Sequence, residues 1–170
     1  VSITREFVIV GAPTDDDCGT DSGSIYIFEG SGSLWNQVAK LTADDGAGGD
    51  LFGRAVSIAG DYAVAGAFWD DDNGIDSGSA YVFQRSGGNW SQVAKLNAGD
   101  GATGDWFGLA VSNSVRYAIA GAYKHDGYGA DSGSAYIFDL GSTVNTATPW
   151  VPLLLLNNKV DRHNNRAKST

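Results

Sequence analysis

Asp76-Ser77-Gly78-Ser79 is the central copy of a tetrapeptide that occurs three times in this chain of 170 residues. The other copies are Asp21-Ser22-Gly23-Ser24 and Asp131-Ser132-Gly133-Ser134, so the interval is 55 residues each time. The surrounding residues keep this interval, because residues 1–50 match residues 56–105 without a gap at more than half of their positions. Similarity at a fixed interval is typical of one structural unit that is copied and packed against its neighbours. The sequence therefore predicts a repeat protein.

The middle copy contains four segments with the features of short β-strands. They are rich in apolar residues and are separated by Gly, Asp and Asn, which favour turns. No window has the 3.6-residue apolar period of a helix. Four short antiparallel strands per repeat are typical of a β-propeller blade, so we expect an all-β fold of three four-stranded sheets. A β-sandwich is the alternative, although it would not require the sequence to recur in register. The predicted strands are 52–58, 62–67, 79–83 and 90–96.

The interval also predicts the boundaries of the blades. We expect blade 1 at 1–50, without the Phe-Gly pair that opens the other copies, blade 2 at 51–105 and blade 3 at 106–158. The fourth strand of blade 3 is expected to be irregular because Trp150 falls five residues late, and 159–170 is expected to be a flexible basic tail. Propellers have about four to eight blades. Further blades from the same polypeptide, from another copy or from a complex partner are therefore expected to complete the ring.

The composition limits the classes of partner. The chain carries 20 acidic and 11 basic residues, which gives a formal net charge of −9. A strongly acidic surface repels phosphate groups, so nucleic acid and anionic membrane surfaces are not expected partners. No apolar stretch is long enough to cross a bilayer, and the sequence therefore predicts no membrane span.

Two further motifs support a resemblance to a known family. Phe52-Gly53 and Phe107-Gly108 open the second and third copies, and Gly11-Ala12-Pro13 has counterparts in both. These motifs resemble the FG-GAP repeat, which builds the β-propeller of integrin α-subunits and of many bacterial and algal surface proteins. The resemblance implies a non-enzymatic extracellular or cell-surface protein that functions in adhesion, ligand binding or protein assembly. Integrin-type blades carry their calcium loop between the first and second strands, where this chain has only Gly60-Asp61.

An acidic loop between the second and third predicted strands is the candidate metal site. Oxygen ligands clustered on a Gly-containing turn suit Ca²⁺, which takes about six to eight oxygens. The alternative is a solvated turn, in which Asp21, Asp76 and Asp131 accept hydrogen bonds from amides of the Ser-Gly-Ser segment. The candidate calcium ligands are Asp15, Asp16, Asp17 and Asp21 in the first copy, Asp70, Asp71, Asp72 and Asp76 in the second, and Asp126 and Asp131 in the third.

Trp69 and Tyr123 flank the acidic loops and are the candidate ligand-binding residues. The Tyr and Phe residues of the third strand recur in every copy, which indicates packing between blades rather than ligand contact. Trp69 and Tyr123 lack this regular recurrence. Since binding residues are often found on loops that a rigid scaffold positions, we expect a protein or glycan ligand at this end of the blades.

The sequence offers little for catalysis. His125 and His163 are the only histidines, and neither has the spacing of a zinc site or a catalytic triad. The acidic loops recur in similar form, whereas acid–base catalysis needs carboxyl groups in different environments. The leading interpretation is a non-enzymatic propeller segment. The alternatives are an accessory subunit whose basic tail docks on an acidic partner and, less favoured, a glycan-processing enzyme.

Overall fold

The computed structural model describes residues 1–127 and 129–141, and these residues form eleven strands in three antiparallel sheets with no helix. We call the sheets blades 1, 2 and 3. In each sheet, strands that follow one another in sequence lie side by side. Blade 1 contains β1 (Ser2–Ile3), β2 (Phe7–Ala12), β3 (Ser24–Ser31) and β4 (Leu34–Leu41); blade 2 contains β5 (Ala55–Ala59), β6 (Tyr62–Ala67), β7 (Ser79–Ser86) and β8 (Asn89–Leu96); blade 3 contains β9 (Phe107–Asn113), β10 (Tyr117–Ala122) and β11 (Ser134–Asp139).

The strands of blade 2 follow the predicted order, although the third runs on to Ser86 instead of ending at Phe83 and the fourth begins at Asn89 instead of Trp90. The second strand has the predicted bounds, but the first begins at Ala55 instead of Phe52. Leu51 and Gly53 have φ angles of 53° and 87°, which no regular strand accommodates, so the chain turns at Phe52. The irregular strand expected near Trp150 and the tail at 159–170 lie outside the described residues.

The apolar cores lie between the blades. Ala63, Ala65 and Ala67 project from one face of β6 into the core shared with blade 1, and Val64 projects from the other face into the core shared with blade 3. A strand that is buried on both faces explains the run of small apolar residues at 62–67. Sheets stacked face to face in this way are propeller blades, so the predicted all-β fold is confirmed.

The phenylalanine of each Phe-Gly pair packs between two blades. The ring centroid of Phe52 lies 5.5 Å from that of Tyr81 and 5.9 Å from that of Phe83. Phe107 repeats this arrangement with Tyr136 at 5.6 Å and Phe138 at 6.1 Å. In blades 2 and 3, the aromatic residues of the third strand therefore pack between blades.

The carbonyl group of the glycine in each Phe-Gly pair lies against the backbone of a Gly-Ala motif in the preceding blade. A Cβ atom on Gly11 would lie 1.8 Å from the carbonyl oxygen of Gly53, and a Cβ atom on Gly66 would lie 1.9 Å from that of Gly108. Both distances are far below van der Waals contact. Glycine in the Gly-Ala motif is therefore required wherever the next blade docks.

Candidate functional site

The acidic loops and the links between blades lie at the same end of the blades. The amide of Gly49, in the link that leaves blade 1, donates a hydrogen bond to the carbonyl of Thr20 in the acidic loop. The amide of Gly104 does the same to the carbonyl of Ile75 in blade 2. The candidate ligand-binding residues lie at this end too, because Tyr123 directly follows β10 and Trp69 comes two residues after the end of β6.

The first aspartate of each acidic loop bonds to its own blade. Asp70 is 3% exposed and accepts hydrogen bonds from the Ser79 hydroxyl at 3.0 Å and the Tyr81 hydroxyl at 2.8 Å. Asp15 accepts equivalent bonds from Ser24 at 2.9 Å and Tyr26 at 2.8 Å. The hydrogen bonds from Tyr26 and Ser24, with help from Lys40, lower the pKa of Asp15 to about 2.

A lysine from the fourth strand occupies the point where the loop carboxylates converge. Lys95 Nζ lies 2.8 Å from the carboxylate of Asp45 and 3.0 Å from that of Asp70, and it also bonds to Asp72. The Tyr81 ring centroid is 5.1 Å from the same nitrogen. Burial opposes the charge, but the three carboxylates outweigh it and raise the pKa of Lys95. In blade 1, Lys40 pairs in the same way with Asp15 and Asp17.

The second aspartate of each loop closes the turn. Asp16, Asp71 and Asp126 each use Oδ1 to accept a hydrogen bond from the amide five residues later, at 2.7 to 2.8 Å. The residues that donate these amides, Asp21, Asp76 and Asp131, have φ angles between 52° and 55°. The expectation that these three side chains cap the Ser-Gly-Ser amides is wrong, because the serine and glycine amides that follow them donate to carbonyl groups of the loop instead.

In blades 1 and 2, a lysine ammonium group pairs with two of the four candidate calcium ligands of the loop, which are Asp15 and Asp17 for Lys40 and Asp70 and Asp72 for Lys95. Within 1–127 and 129–141, no three His, Cys, Asp or Glu side chains are placed to hold a metal ion together. The geometry favours the alternative of structural turns. Calcium binding stays a prediction, which a thermal melt can test.

Blade 3 differs from the other two blades at the first loop position. His125 stands where Asp15 and Asp70 stand, and its Nδ1 lies 3.0 Å from the Ser134 hydroxyl and accepts the Gly127 amide at 3.1 Å. Its Nε2 lies 3.6 Å from the carboxylate of Asp100, which also accepts a hydrogen bond from Tyr136. The fold thus brings together a Ser, a His and an Asp that the spacing did not predict. Ser24 and Ser79 make the same contact to Asp15 and Asp70, so we assign the Ser134 hydroxyl a structural role.

A cleft of about 410 Å³ lies between the link that leaves blade 2 and the acidic loop that joins β10 and β11 in blade 3. Buried His125 and Asp105 line it, together with Asp100 and Asp126. Three carboxyl groups in one cleft give this junction a strongly negative character.

Aromatic side chains from blades 2 and 3 contact one another in a row that includes both predicted ligand residues. Trp69 is 41% exposed and Tyr123 is 62% exposed. They are connected through Phe68, whose ring centroid lies 5.2 Å from Trp69 and 5.8 Å from Trp106, and through Trp106, which stacks on Tyr123 at 6.2 Å. Lys124 Nζ lies 3.5 Å from the Trp106 ring centroid. We call Trp69, Trp106 and Tyr123 the aromatic cluster.

Sequence reasoning missed Trp106, although a signal was present. Its counterpart one copy earlier is Leu51, so position 106 breaks the repeat pattern with a larger aromatic side chain. Trp106 lies in the link before β9, far in sequence from Trp69, and only the packing of blade 3 on blade 2 brings the two side chains into one cluster.

Comparison with protein-family models gives one match, described as the FG-GAP repeat, over residues 1–28, 35–83 and 90–138. A search of curated proteins finds no match to this chain. Among the residues that the structure describes, there is no helix capable of crossing a membrane.

Proposed function

Because this chain belongs to the FG-GAP repeat family, whose propellers are generally non-enzymatic, we propose that it is a propeller segment that assembles with further blades. The proposed setting is the extracellular space or the cell surface, where FG-GAP repeats are typical and where a role in adhesion is reasonable. The proposed partners are further copies of the same blade, either in one longer polypeptide or in a second chain.

The surroundings of Gly121 are the main observation that supports this proposal. In blades 1 and 2, the corresponding glycines lie against the carbonyl oxygen of the next Phe-Gly pair, at a distance that excludes any side chain. Among residues 1–127 and 129–141, a Cβ atom on Gly121 would meet nothing closer than 3.9 Å. No contact among the described residues therefore requires glycine at this position, whereas the docking of another Phe-Gly pair would require it.

The open faces of blades 1 and 3 support the same conclusion. On blade 3, Ile119 is 39% exposed, whereas the corresponding Val64 of blade 2 is fully buried against blade 3. On blade 1, Tyr26 and Phe28 are half-buried, whereas their counterparts in blade 2 are buried against blade 1. Burial of apolar area is the main favourable term in association. The two open faces have the same residue types as the two faces that pair inside the molecule.

Light scattering on the full chain, across a range of concentrations, tests the proposal with Gly121→Ala as the variant. We expect the wild-type chain to associate and the variant to remain smaller, because the added methyl group blocks an incoming carbonyl. The melting temperature of the dilute variant should be close to that of the wild type, since the methyl group meets no atom of the described residues closer than 3.9 Å. A wild-type chain that stays monomeric at high concentration would overturn assembly with a second chain and would leave further blades in one longer polypeptide as the form of the proposal that holds.

Ligand binding by the aromatic cluster is a second candidate function. An exposed cluster of large aromatic side chains is typical of a binding site. A glycan array and a panel of peptides, each applied to wild type and to Trp69→Ala/Tyr123→Ala, test it. We expect the double variant to lose any ligand that binds. Binding that survives both substitutions would remove the cluster as the ligand site.

A further inference from the structure

Asn89-Trp90-Ser91 is a motif that neither proposed function uses. Asparagine followed two positions later by serine or threonine, with any residue except proline between them, is the acceptor sequence for N-linked glycans. The motif occurs once in the 170 residues of the chain. Its counterpart in the first copy is Leu34-Trp35-Asn36, which has leucine in place of the acceptor asparagine. The repeat therefore does not require this motif, and blade 2 carries it as an addition.

The motif begins at the turn between β7 and β8. Ser86 pairs with Asn89, so Gly87 and Gly88 form a two-residue loop, and their φ angles are 58° and 87°. Positive φ angles at both central residues are typical of a tight type I′ hairpin turn. Among the described residues, a Cβ atom on either glycine would meet nothing within 4 Å. The space next to Asn89 is therefore open.

The side chains of Asn89 and Ser91 are exposed, whereas Trp90 between them is buried. Successive side chains of a strand point to opposite faces of a sheet. The Trp90 ring packs edge-on against Phe7 of blade 1, with 5.8 Å between the ring centroids. Asn89 and Ser91 lie on the other face of β8, which is the outer strand of its sheet. The fold thus presents the acceptor amide and the serine hydroxyl together to solvent.

A neighbouring blade does not bury this position. Leu34 is the counterpart of Asn89 and begins β4 at the same place in its hairpin. It pairs with Ser31, four residues after Ile27 and thus on the face of blade 1 that packs against blade 2. Leu34 nevertheless remains 66% exposed. A blade that packs on the next face of blade 2 is therefore compatible with a large substituent on Asn89.

The hairpin also lies far from the candidate ligand-binding residues. β7 begins after the acidic loop of blade 2, ends at this turn and contains eight residues. At about 3.3 Å per residue, the two ends of β7 are separated by roughly 25 Å. Trp69 and Tyr123 lie at the end with the acidic loops. A glycan on Asn89 therefore leaves the aromatic cluster open to a ligand.

We propose that Asn89 is the acceptor of an N-linked glycan at the hairpin end of blade 2. An oligosaccharyltransferase forms the bond between Asn89 Nδ2 and the anomeric carbon of an oligosaccharide, while the bond from that carbon to the diphosphate of a polyprenyl carrier breaks. The polyprenyl diphosphate leaves, and one proton of Nδ2 passes to solvent. The Ser91 hydroxyl is the group by which the transferase recognises the motif. The proposal rests on the extracellular or cell-surface setting of the proposed function, since the transferase acts on chains that enter the secretory pathway.

Expression of the full chain in cultured mammalian cells, with a cleavable signal sequence placed before Val1, tests the proposal. The chain is recovered from the cell extract and from the medium. We expect it to migrate as a larger species that peptide N-glycosidase F reduces in size. The glycosidase converts a glycosylated asparagine to aspartate, so mass spectrometry of the peptide that contains residue 89 should detect this conversion. The glycan should not lower the melting temperature, because it extends from an exposed side chain.

Four variants locate the glycan. Asn89→Gln and Ser91→Ala should each abolish the size difference, because the first removes the acceptor and the second removes the hydroxyl. Ser91→Thr keeps a hydroxyl at the same position and should keep the glycan. Leu34→Asn/Asn36→Ser places the same motif on the hairpin of blade 1 and should add a second glycan, since that hairpin is exposed in the same way.

A chain without a glycan on Asn89 would overturn the proposal and leave the assembly function untouched. A glycosylated chain that stays in the cell extract while Asn89→Gln reaches the medium would also overturn it, because the fold would then not accept the glycan. Light scattering before and after glycosidase treatment measures assembly separately. Association that is absent from both forms would count against assembly with a second chain only. Association that appears only after the glycan is removed would show that Asn89 lies in the interface and would overturn its proposed place outside the docking faces.

Discussion

Replacing Lys95 with methionine tests whether an internal ammonium group holds the acidic loop of blade 2. Methionine keeps most of the aliphatic side chain and removes the charge. Breaking a buried ion pair from one side costs about 3–5 kcal/mol. Here the side chains of Asp45 and Asp72 are 44% and 59% exposed, so water can solvate their carboxylates once the ammonium group is removed. Asp70 is almost fully buried but keeps its bonds to Ser79 and Tyr81. We therefore expect Lys95→Met to lower the free energy of unfolding by about 2–3 kcal/mol.

Equilibrium unfolding in urea at neutral pH measures this effect. With a urea slope of about 2 kcal/mol per molar, the midpoint should fall by roughly 1–1.5 M. Adding Asp70→Asn to Lys95→Met removes the uncompensated buried charge and should recover part of the loss, as expected for coupled partners. Lys40→Met is the matched control, and its effect should be smaller because the ion pair of Lys40 is more exposed. A Lys95→Met chain within about 0.5 kcal/mol of the wild type would refute the reasoning.

Three further predictions follow from other contacts of the blades. Gly66→Ala should destabilise the chain by about 3 kcal/mol, because the added Cβ would lie 1.9 Å from the Gly108 carbonyl oxygen. Gly121→Ala should change stability by less than about 1 kcal/mol, and equal losses for the two variants in urea unfolding would contradict this. The pKa of Asp15 is about 2 in the folded chain and ordinarily 3.8, so the contribution of Asp15 to stability is complete above pH 3.8 and is lost as the pH falls towards 2. Asp15→Asn should therefore flatten the pH dependence of the urea midpoint in this range. An unchanged slope would contradict this role of Asp15. Saturating Ca²⁺ should leave the melting temperature of the wild type unchanged. It should raise the melting temperature of Lys95→Met, because three carboxylates have lost their ammonium partner in that variant. A rise in the wild type would instead establish calcium binding.

Much of the fold could be predicted because its signals are local and recur. The second strand of blade 2 has its predicted bounds because a run of small apolar residues indicates a strand buried on both faces. The prediction failed at Phe52, where a left-handed residue on either side prevents a strand. A φ angle above zero at a leucine has no sequence signal of its own, so the repeat alone could not reveal it.

The candidate site was predicted less completely than the fold. The sequence identified Trp69 and Tyr123 as non-repeating aromatics, and both lie in one exposed cluster. It did not identify Trp106, and it offered no means of choosing between calcium and turn formation for the aspartates. That choice depends on which cation reaches the carboxylates, and Lys95 reaches them from a strand 25 residues away from Asp70.

By itself, the sequence determined that this protein consists of stacked antiparallel blades, because three copies in register repeat the same turns and the same buried faces. Only the tertiary structure decided what each acidic residue does. A carboxylate bonds to whichever group lies nearest in space, and at these junctions that group comes from another strand or another blade. The copies look alike in sequence, yet packing brings Lys95 to Asp70 at one junction and His125 to Asp100 at the next.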